Sequence, residues 1–419
     1  MKAVEHVEVT IVGGGPSGSA LAAHLSALGR DVVVLERAPR WQWRAGGVFA
    51  SPAAAEAVRR TGVGEQVVRA VARPIPAMRV ETAGGTAFRL TYGADRGGAP
   101  AVGFDRSRLD PELLDLARSR GADVRTGMTV IDVDLPTGTL TIRSPDGEIS
   151  RMAASIVVGA DGPRSIVARA AGVDRPVWLG PRVGLTYHLE DRDGAAFRDA
   201  RMCVFRDGYV GIAPVPGDRV NIGIVLGDTW RRALSRDGAG AVARSIVEWI
   251  RPTPEDPAEW RFARRCDSIG GAWPLGHRVT RRAGFAGSGS NGGAAGRRSG
   301  VGWLLVGDAA GFLDPFTGEG LHRALVSAEL AARAILAAEA SRRRAFEAYE
   351  RAMYRRFLAK DAVSWLVQAF LARPAWFEYA ARRVADRPAV RATMGLVMGD
   401  LVPAGRALDP RYLAALLAP

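Results

Sequence analysis

The chain has 419 residues, 47% of them hydrophobic, which is enough to bury one large core or two modest ones and to form two or three structural units. Its formal charge is +13 and, apart from Lys2 and Lys360, every Lys or Arg is Arg; with so much Gly and Ala beside it, this bias reads as composition and not as a nucleic-acid footprint. Cys203 and Cys266 stand alone without a CxxC, which excludes a disulfide framework, a zinc site and an iron–sulfur cluster, and no uncharged apolar run reaches the roughly 18 residues of a membrane span.

The opening "MKAVEHVE" leaves no room for a signal peptide, so a cytoplasmic location is expected. "VEVTIV" at 7–12 predicts a buried strand, followed at once by Gly13-x-Gly15-x-x-Gly18. "SALAAHLSALG" predicts a helix ending at Gly29, and "DVVVLE" a second buried strand. In that order Gly13 permits a tight turn, Gly15 lets the backbone approach a pyrophosphate, and Gly18 lets helix pack on strand. Glu36, closing the second strand, can accept hydrogen bonds from a ribose. The unit predicts a dinucleotide site and leaves NAD and FAD open.

Further along, 78–92, 183–190 and 202–226 carry the alternation and turn residues of antiparallel strands. "ASIVVGADGPRSIVARAAG" at 154–172 predicts a strand ending in Asp161-Gly162 before a helix, a site for a flavin, for a transient nicotinamide nucleotide, or only a turn. "GAWPLGHRV" at 271–279 offers Trp273, Pro274 and His277 as site-lining residues, with core packing the alternative for Trp273. Residues 284–300 are Gly-rich and of low complexity and predict a flexible loop whose deletion is tolerated.

"VGWLLVGDAAGFLDPFTGEGL" at 301–321 decides between the two cofactors. A strand ending at Gly307-Asp308 aims a carboxylate at a ribityl hydroxyl, and the helix that starts after Gly318 turns its N-terminal amides toward the flavin pyrimidine. NAD needs no such second site, so FAD is the expected cofactor. From about 323 to 419 the pattern is helical, broken at "ARPAW" and "DRPAV". Trp365, Phe370, Trp376, Phe377 and Tyr379 fit a greasy tunnel mouth, a membrane-surface patch or ordinary packing, and the Arg clusters near 342–344, 355–356 and 382–383 fit solvated faces or sites for anionic partners. None of the five histidines has metal-ligand spacing. His322 is placed either to approach the flavin edge and give a proton, or on a helix surface.

The three motifs in this order resemble the flavoprotein superfamily of p-hydroxybenzoate hydroxylase-like monooxygenases and geranylgeranyl reductases, across most of residues 7–335. The resemblance implies a Rossmann-like α/β FAD-binding domain with an inserted, mostly antiparallel substrate sheet and a C-terminal helical region. It places the FAD domain at 1–77, 102–180 and 300–335, the substrate sheet at 78–101 and 181–283, the loop at 284–299 and the helical region at 336–419. The residues it implies at the cofactor are Gly13, Gly15, Pro16, Ser17, Gly18, Glu36, Arg37, Arg44, Arg106, Val130, Asp161, Gly162, Asp308, Pro315, Gly318, Gly320 and Leu321. Arg44 and Arg106 would lie near the cofactor, the latter at its ribityl–pyrophosphate; the catalytic candidates are His322, His277 and Trp273.

"GDAAGFLDPFTGEGL" is similar to the geranylgeranyl reductase branch, with Gly311 and Glu319 where aromatic hydroxylases carry His and Gln, while "RAGGV" near residue 46 departs from that branch's Cys-Gly form. The two lysines are poorly placed for the channel lysine of flavin-dependent halogenases, and Trp41-Gln-Trp43 lacks their proline; two cysteines cannot hold the cluster of quinone-linked relatives. Three readings follow. The first is a reductase taking hydride from NADPH or NADH through FAD to a C=C bond of a lipophilic, isoprenoid-like substrate. The second is a monooxygenase acting on an aromatic or polyketide-like substrate, and the third a non-catalytic FAD-binding protein.

Overall fold

The computed structural model describes residues 4–43, 46–93, 99–177, 180–191, 199–250, 263–273, 275–279 and 302–418. The Gly-rich segment 284–299, Arg44 and Pro274 lie outside them, and His277 is described by its backbone alone, which pairs with Pro176.

Strands covered on both faces read as continuous apolar runs, because neither face meets water. Glu5–Val12 and Val32–Glu36 are two of these, pairing in parallel with each other. Asp123–Thr126 extends the sheet in parallel beyond Val32–Glu36, and Ile149–Gly159 pairs in parallel on the other side of Glu5–Val12. The second edge of Ile149–Gly159 is shared. Its first half pairs antiparallel with Thr139–Arg143, and its last four residues pair in parallel with Gly302–Leu305. A strand from late in the chain thereby completes the parallel sheet, and the ends at Val12, Glu36, Gly159 and Leu305 point the same way, where ligands of such sheets collect. The helices Pro16–Ser26 and Arg106–Ser119 pack beside the start of the long helix Gly320–Leu371 on this core.

A second seven-stranded sheet runs in the order Gly270–Ala272, Val183–Glu190, Arg219–Leu226, Gly208–Val215, Ala200–Phe205, Ala77–Thr82, Ala87–Thr91. Every pairing is antiparallel except that of Ala200–Phe205 with Ala77–Thr82, which joins early and late pieces of chain. Alternation splits its faces. Leu185, Tyr187, Ile212, Ile222 and Ile224 pack on the helix Arg231–Trp249, while Met202, Tyr209, Ala213 and Val225 join an apolar cluster with the C-terminal helices.

The long helix is two helices merged at Ser341, whose φ of −165° and ψ of 100° are extended. After it, Pro374–Asp386 and Pro388–Met398 each begin on a proline preceded by an extended arginine, Arg373 or Arg387. Proline lacks the amide that an interior turn needs and forces its predecessor out of the helical region, so the two Arg-Pro pairs are where the breaks fall. The architecture is α/β: a Rossmann-like unit, a mostly antiparallel sheet and a helical C-terminal region.

Candidate functional site

The glycine turn divides its three glycines by what surrounds them. A Cβ on Gly13, whose φ is +106°, would meet the Ala160 carbonyl oxygen at 2.5 Å, and one on Gly18 would meet the Gly13 oxygen at 2.0 Å. A Cβ on Gly15 would meet nothing within 4 Å. The first two positions are glycine for packing, and the third faces open space at the N-terminus of Pro16–Ser26, a helix with no side-chain cap and Pro16 in its first turn. Its free amides are what a diphosphate would take. Glu36 is 8% exposed; its Oε2 accepts from the Gly14 amide at 2.8 Å and Oε1 from the Ala38 amide at 2.9 Å, so the carboxylate is fixed beside the turn. Ser17 is buried, and Gly307 leaves room for it: a Cβ there would lie 2.6 Å from Ser17 Oγ. Arg37 is exposed and Val130 half-buried.

Beside this turn, Asp161 Oδ2 accepts from the Ile166 amide at 2.6 Å and so anchors the helix Ile166–Ala170. Its Oδ1 is buried without a hydrogen-bond partner, and burial raises the pKa of the carboxyl. Gly162, at φ +79°, has open space around it. A buried acceptor left over next to an uncapped helix end fits a group with hydroxyls to donate, as a ribose or ribityl chain has.

The Gly307-Asp308 turn lies across the same end of the sheet. The Gly307 amide donates to Ser327 Oγ at 2.8 Å, and φ of +58° keeps the position in the left-handed region. Arg106 is engaged by Asp110, through Nε at 2.6 Å and NH2 at 2.9 Å, and by the Gly47 carbonyl at 3.0 Å. Burial lowers its pKa, but Asp110 and then Asp308 outweigh that and hold the guanidinium above its ordinary value. The charge of Asp308 thus acts on Arg106 beside its Asp110 pair, and Arg106 ties its helix to the segment after Trp43. Pro315 opens a short turn to Thr317, and Gly318 follows at φ +67°, where a Cβ would press on Phe49 at 2.7 Å. Gly320 starts the long helix and Leu321 is buried.

His322 is neither on a helix surface nor free to give a proton. It is 3% exposed; Nδ1 lies 3.1 Å from Asp400 Oδ2, and Nε2 faces Arg356 NH2 at 3.3 Å. Since a guanidinium only donates, Nε2 accepts and Nδ1–H donates to Asp400. Lys360 Nζ reaches Asp400 Oδ1 at 2.8 Å, the Val397 carbonyl at 2.9 Å and Glu319 Oε1 at 3.3 Å. Burial resists ionisation of Asp400, but the hydrogen bond from His322 and the charge of Lys360 prevail and bring its pKa down to about 2. Burial wins at Glu319, whose pKa is raised despite Lys360. Lys360, far from the cofactor motifs in sequence, therefore sits against the Gly318–Gly320 loop, a position the sequence alone did not show. The signal was its isolation: one of two lysines, in an apolar helical stretch.

Trp273 is also displaced from expectation. It is 41% exposed, with the Arg231 guanidinium 5.5 Å from its ring centre, and belongs neither to the core nor to the cavity described next. Unforeseen, in contrast, is His188 on the second sheet. It is 2% exposed, its Nδ1 donates to Asp267 Oδ2 at 2.6 Å, and its ring lies 4.5 Å from that of Trp43.

On the face that carries His188 and Thr186, Gly211 and Gly223 stand opposite one another, leaving a patch of sheet without side chains. Between the second sheet and the C-terminal helices opens an apolar cavity of about 110 Å³, running from Phe49, Phe316 and Thr317 to Phe370, Phe377 and Leu416. Phe316 meets Phe377 edge-on at 6.3 Å, so one wall is continuous from the glycine loop into the C-terminal helices. Phe370 and Phe377 line this cavity; Trp376 and Tyr379 are exposed.

Residues 6–180 match the FAD binding domain family. A menaquinone reductase of Mycobacterium tuberculosis is 25% identical over 354 residues, covering 79% of this chain and 77% of that protein. Digeranylgeranylglycerophospholipid reductase 2 of Methanothermobacter thermautotrophicus is 28% identical over 345 residues, covering 77% and 76%. Among solved structures, a geranylgeranyl bacteriochlorophyll reductase-like protein of Thermoplasma acidophilum superposes with a TM-score of 0.75 at 20% identity, over 99% of both chains. The flavin-dependent brominase Bmp2 shares the fold too, with a TM-score of 0.72 at 20% identity over 94% and 93%. With an FAD-binding domain over residues 6–180, the chain is accordingly an FAD-dependent oxidoreductase, and it resembles the geranylgeranyl reductase-type branch of the p-hydroxybenzoate hydroxylase-like superfamily.

Proposed function

We propose that the protein is a reductase that takes hydride from NADPH or NADH and delivers it, through FAD, to a C=C bond of a lipophilic, isoprenoid-like substrate. The observation that carries this reading is the cavity: its lining is apolar almost throughout and it begins at Phe49, Phe316 and Thr317, against the loop that would adjoin the flavin ring. The names of the menaquinone reductase and the digeranylgeranylglycerophospholipid reductase point the same way.

Bound FAD would supply the two-electron chemistry. The chain's own work is to bind, orient and exclude water. The Gly15 backbone and the amides of Pro16–Ser26 would hold the diphosphate, Glu36 the adenosine ribose, and Asp161, Arg106 and Asp308 the span between. The same reading assigns the pyrimidine edge to the Pro315–Gly320 turn, with Leu321 and Val130 as apolar neighbours. The bare patch at Gly211 and Gly223 leaves room on the sheet face for a flat group, and the cavity wall from Phe316 to Phe377 would keep an alkenyl chain dry beside it.

An oxygen-dependent hydroxylase is the competing reading, favoured by "RAGGV" in place of a Cys-Gly segment. Reduction of the yellow protein by NADPH or NADH under anaerobic conditions, followed by a polyprenyl substrate, separates the two. Recovery of the flavin absorbance without oxygen supports the reductase. Recovery that waits for oxygen and a phenol supports the hydroxylase.

A further inference from the structure

The helices that wall the cavity also carry the largest exposed aromatic on the C-terminal region. Trp376, on Pro374–Asp386, is 54% exposed, and Tyr379 one turn later is 38% exposed. The Tyr379 hydroxyl donates to the Leu417 carbonyl at 2.7 Å, which brings the 43% exposed Leu417 of Pro410–Leu417 into the same patch. Each ring is topped by a cation: the Arg373 guanidinium lies 4.5 Å from the Trp376 ring centre and that of Arg383 4.9 Å from Tyr379. Arg387 borders the patch through hydrogen bonds to the carbonyls of Ala415 and Ala418. Of the nearby acids, Glu378 is turned away to the hydroxyls of Thr82 and Thr86, and Asp386 and Asp409 are exposed at the rim.

An amphipathic ring with a guanidinium against it suits the boundary between headgroups and acyl chains, where one side of the pair is apolar and the other charged. The patch is continuous with the cavity: the exposed Trp376 meets Phe370, a lining residue, with ring centres 6.3 Å apart. We propose that this face docks on an anionic lipid surface and so sets the cavity mouth at the level of the acyl chains. Charge complementarity selects that occupant, since arginines flank the apolar centre. The docking stands without the proposed reaction; only its use, admitting a lipophilic substrate from the bilayer, rests on that reading.

The test is flotation of the full-length, FAD-loaded protein with vesicles of phosphatidylcholine alone or mixed with phosphatidylglycerol. The protein is expected to float with the anionic vesicles and to be released by high salt. An arginine near an anionic surface is worth about fivefold in binding. R373E/R383E is therefore expected to lose more than about tenfold in binding, and Trp376→Ser at least severalfold, with flavin content and melting temperature unchanged. In the unsubstituted protein, brominated lipids should quench part of the tryptophan fluorescence. Absence of flotation and of quenching would overturn the proposal, as would variants that float like the parent. So would light scattering in which the parent is a dimer and Trp376→Ser a monomer while neither floats, which would assign the patch to a second copy of the chain. None of these readouts depends on turnover, so the docking can fail while the reductase reading stands, and the reverse.

Discussion

Replacing Lys360 by Met removes the buried ammonium that joins the glycine loop to the C-terminal helices while keeping an unbranched side chain of similar length. At 2.8 Å from Asp400, a unit charge in surroundings of effective dielectric about 20 contributes an attraction of about 6 kcal/mol. Part of this is offset by taking the ammonium out of water, and breaking such a pair from one side costs about 3–5 kcal/mol. Asp400 gives an independent measure. Its carboxyl, 4% exposed, is held at about 2 instead of the ordinary 3.8, which at 1.36 kcal/mol per pH unit amounts to about 2 kcal/mol. Since the folded pKa is the lower one, this stability is present above pH 3.8 and lost as pH falls toward about 2. Urea denaturation of K360M at pH 7 should therefore show a loss of about 3–5 kcal/mol, with a flattened acid limb between pH 4 and 2. Adding D400L, which removes the stranded carboxylate, should restore part of that loss. A loss below about 1 kcal/mol, or two losses that simply add, would refute the assignment of a coupled buried pair.

The glycine turn yields a paired prediction. Gly15→Val should leave the melting temperature nearly unchanged but cost at least about tenfold in FAD affinity, because its side chain enters the space meant for a diphosphate. Gly18→Val should instead fail to fold, since its Cβ has only 2.0 Å to the Gly13 oxygen; a folded, flavin-free Gly18→Val would contradict this division. Ala380→Trp fills the cavity from one wall and should slow turnover of long-chain substrates by about tenfold or more while sparing short ones, measured as kcat/KM against chain length. Tyr349→Phe, which removes the hydroxyl that donates to the Leu305 carbonyl at 2.7 Å, should cost about 1 kcal/mol in urea denaturation without changing flavin content.

The glycine turn, Glu36 and the strand ends at Asp161 and Asp308 could be read from the sequence because each is local: a strand, a turn and a helix start within about twenty residues. Proline placed the C-terminal breaks for the same reason. What could not be read came from pairings distant in the chain. His322 lies two residues beyond Gly320, which suggested a role at the flavin, yet Asp400, in the turn after Pro388–Met398, and Arg356, beyond the kink at Ser341, engage both its nitrogens. The partners of Lys360 were hidden for the same reason, because only the return of the long helix past the glycine loop brings it to Glu319. Trp273 follows a strand at the sheet edge, and nothing in the sequence shows that an edge position leaves it 41% exposed. His188 alternates among buried neighbours like any strand residue, and its partner Asp267 lies 79 positions away.

The most direct test of the central claim is the mass of the product formed from a polyprenyl lipid by the FAD-loaded protein with NADPH or NADH in the absence of oxygen. The account predicts a product heavier than the substrate by two hydrogens, formed without oxygen and lost in Gly15→Val. A product heavier by one oxygen atom, formed only in air, would contradict it.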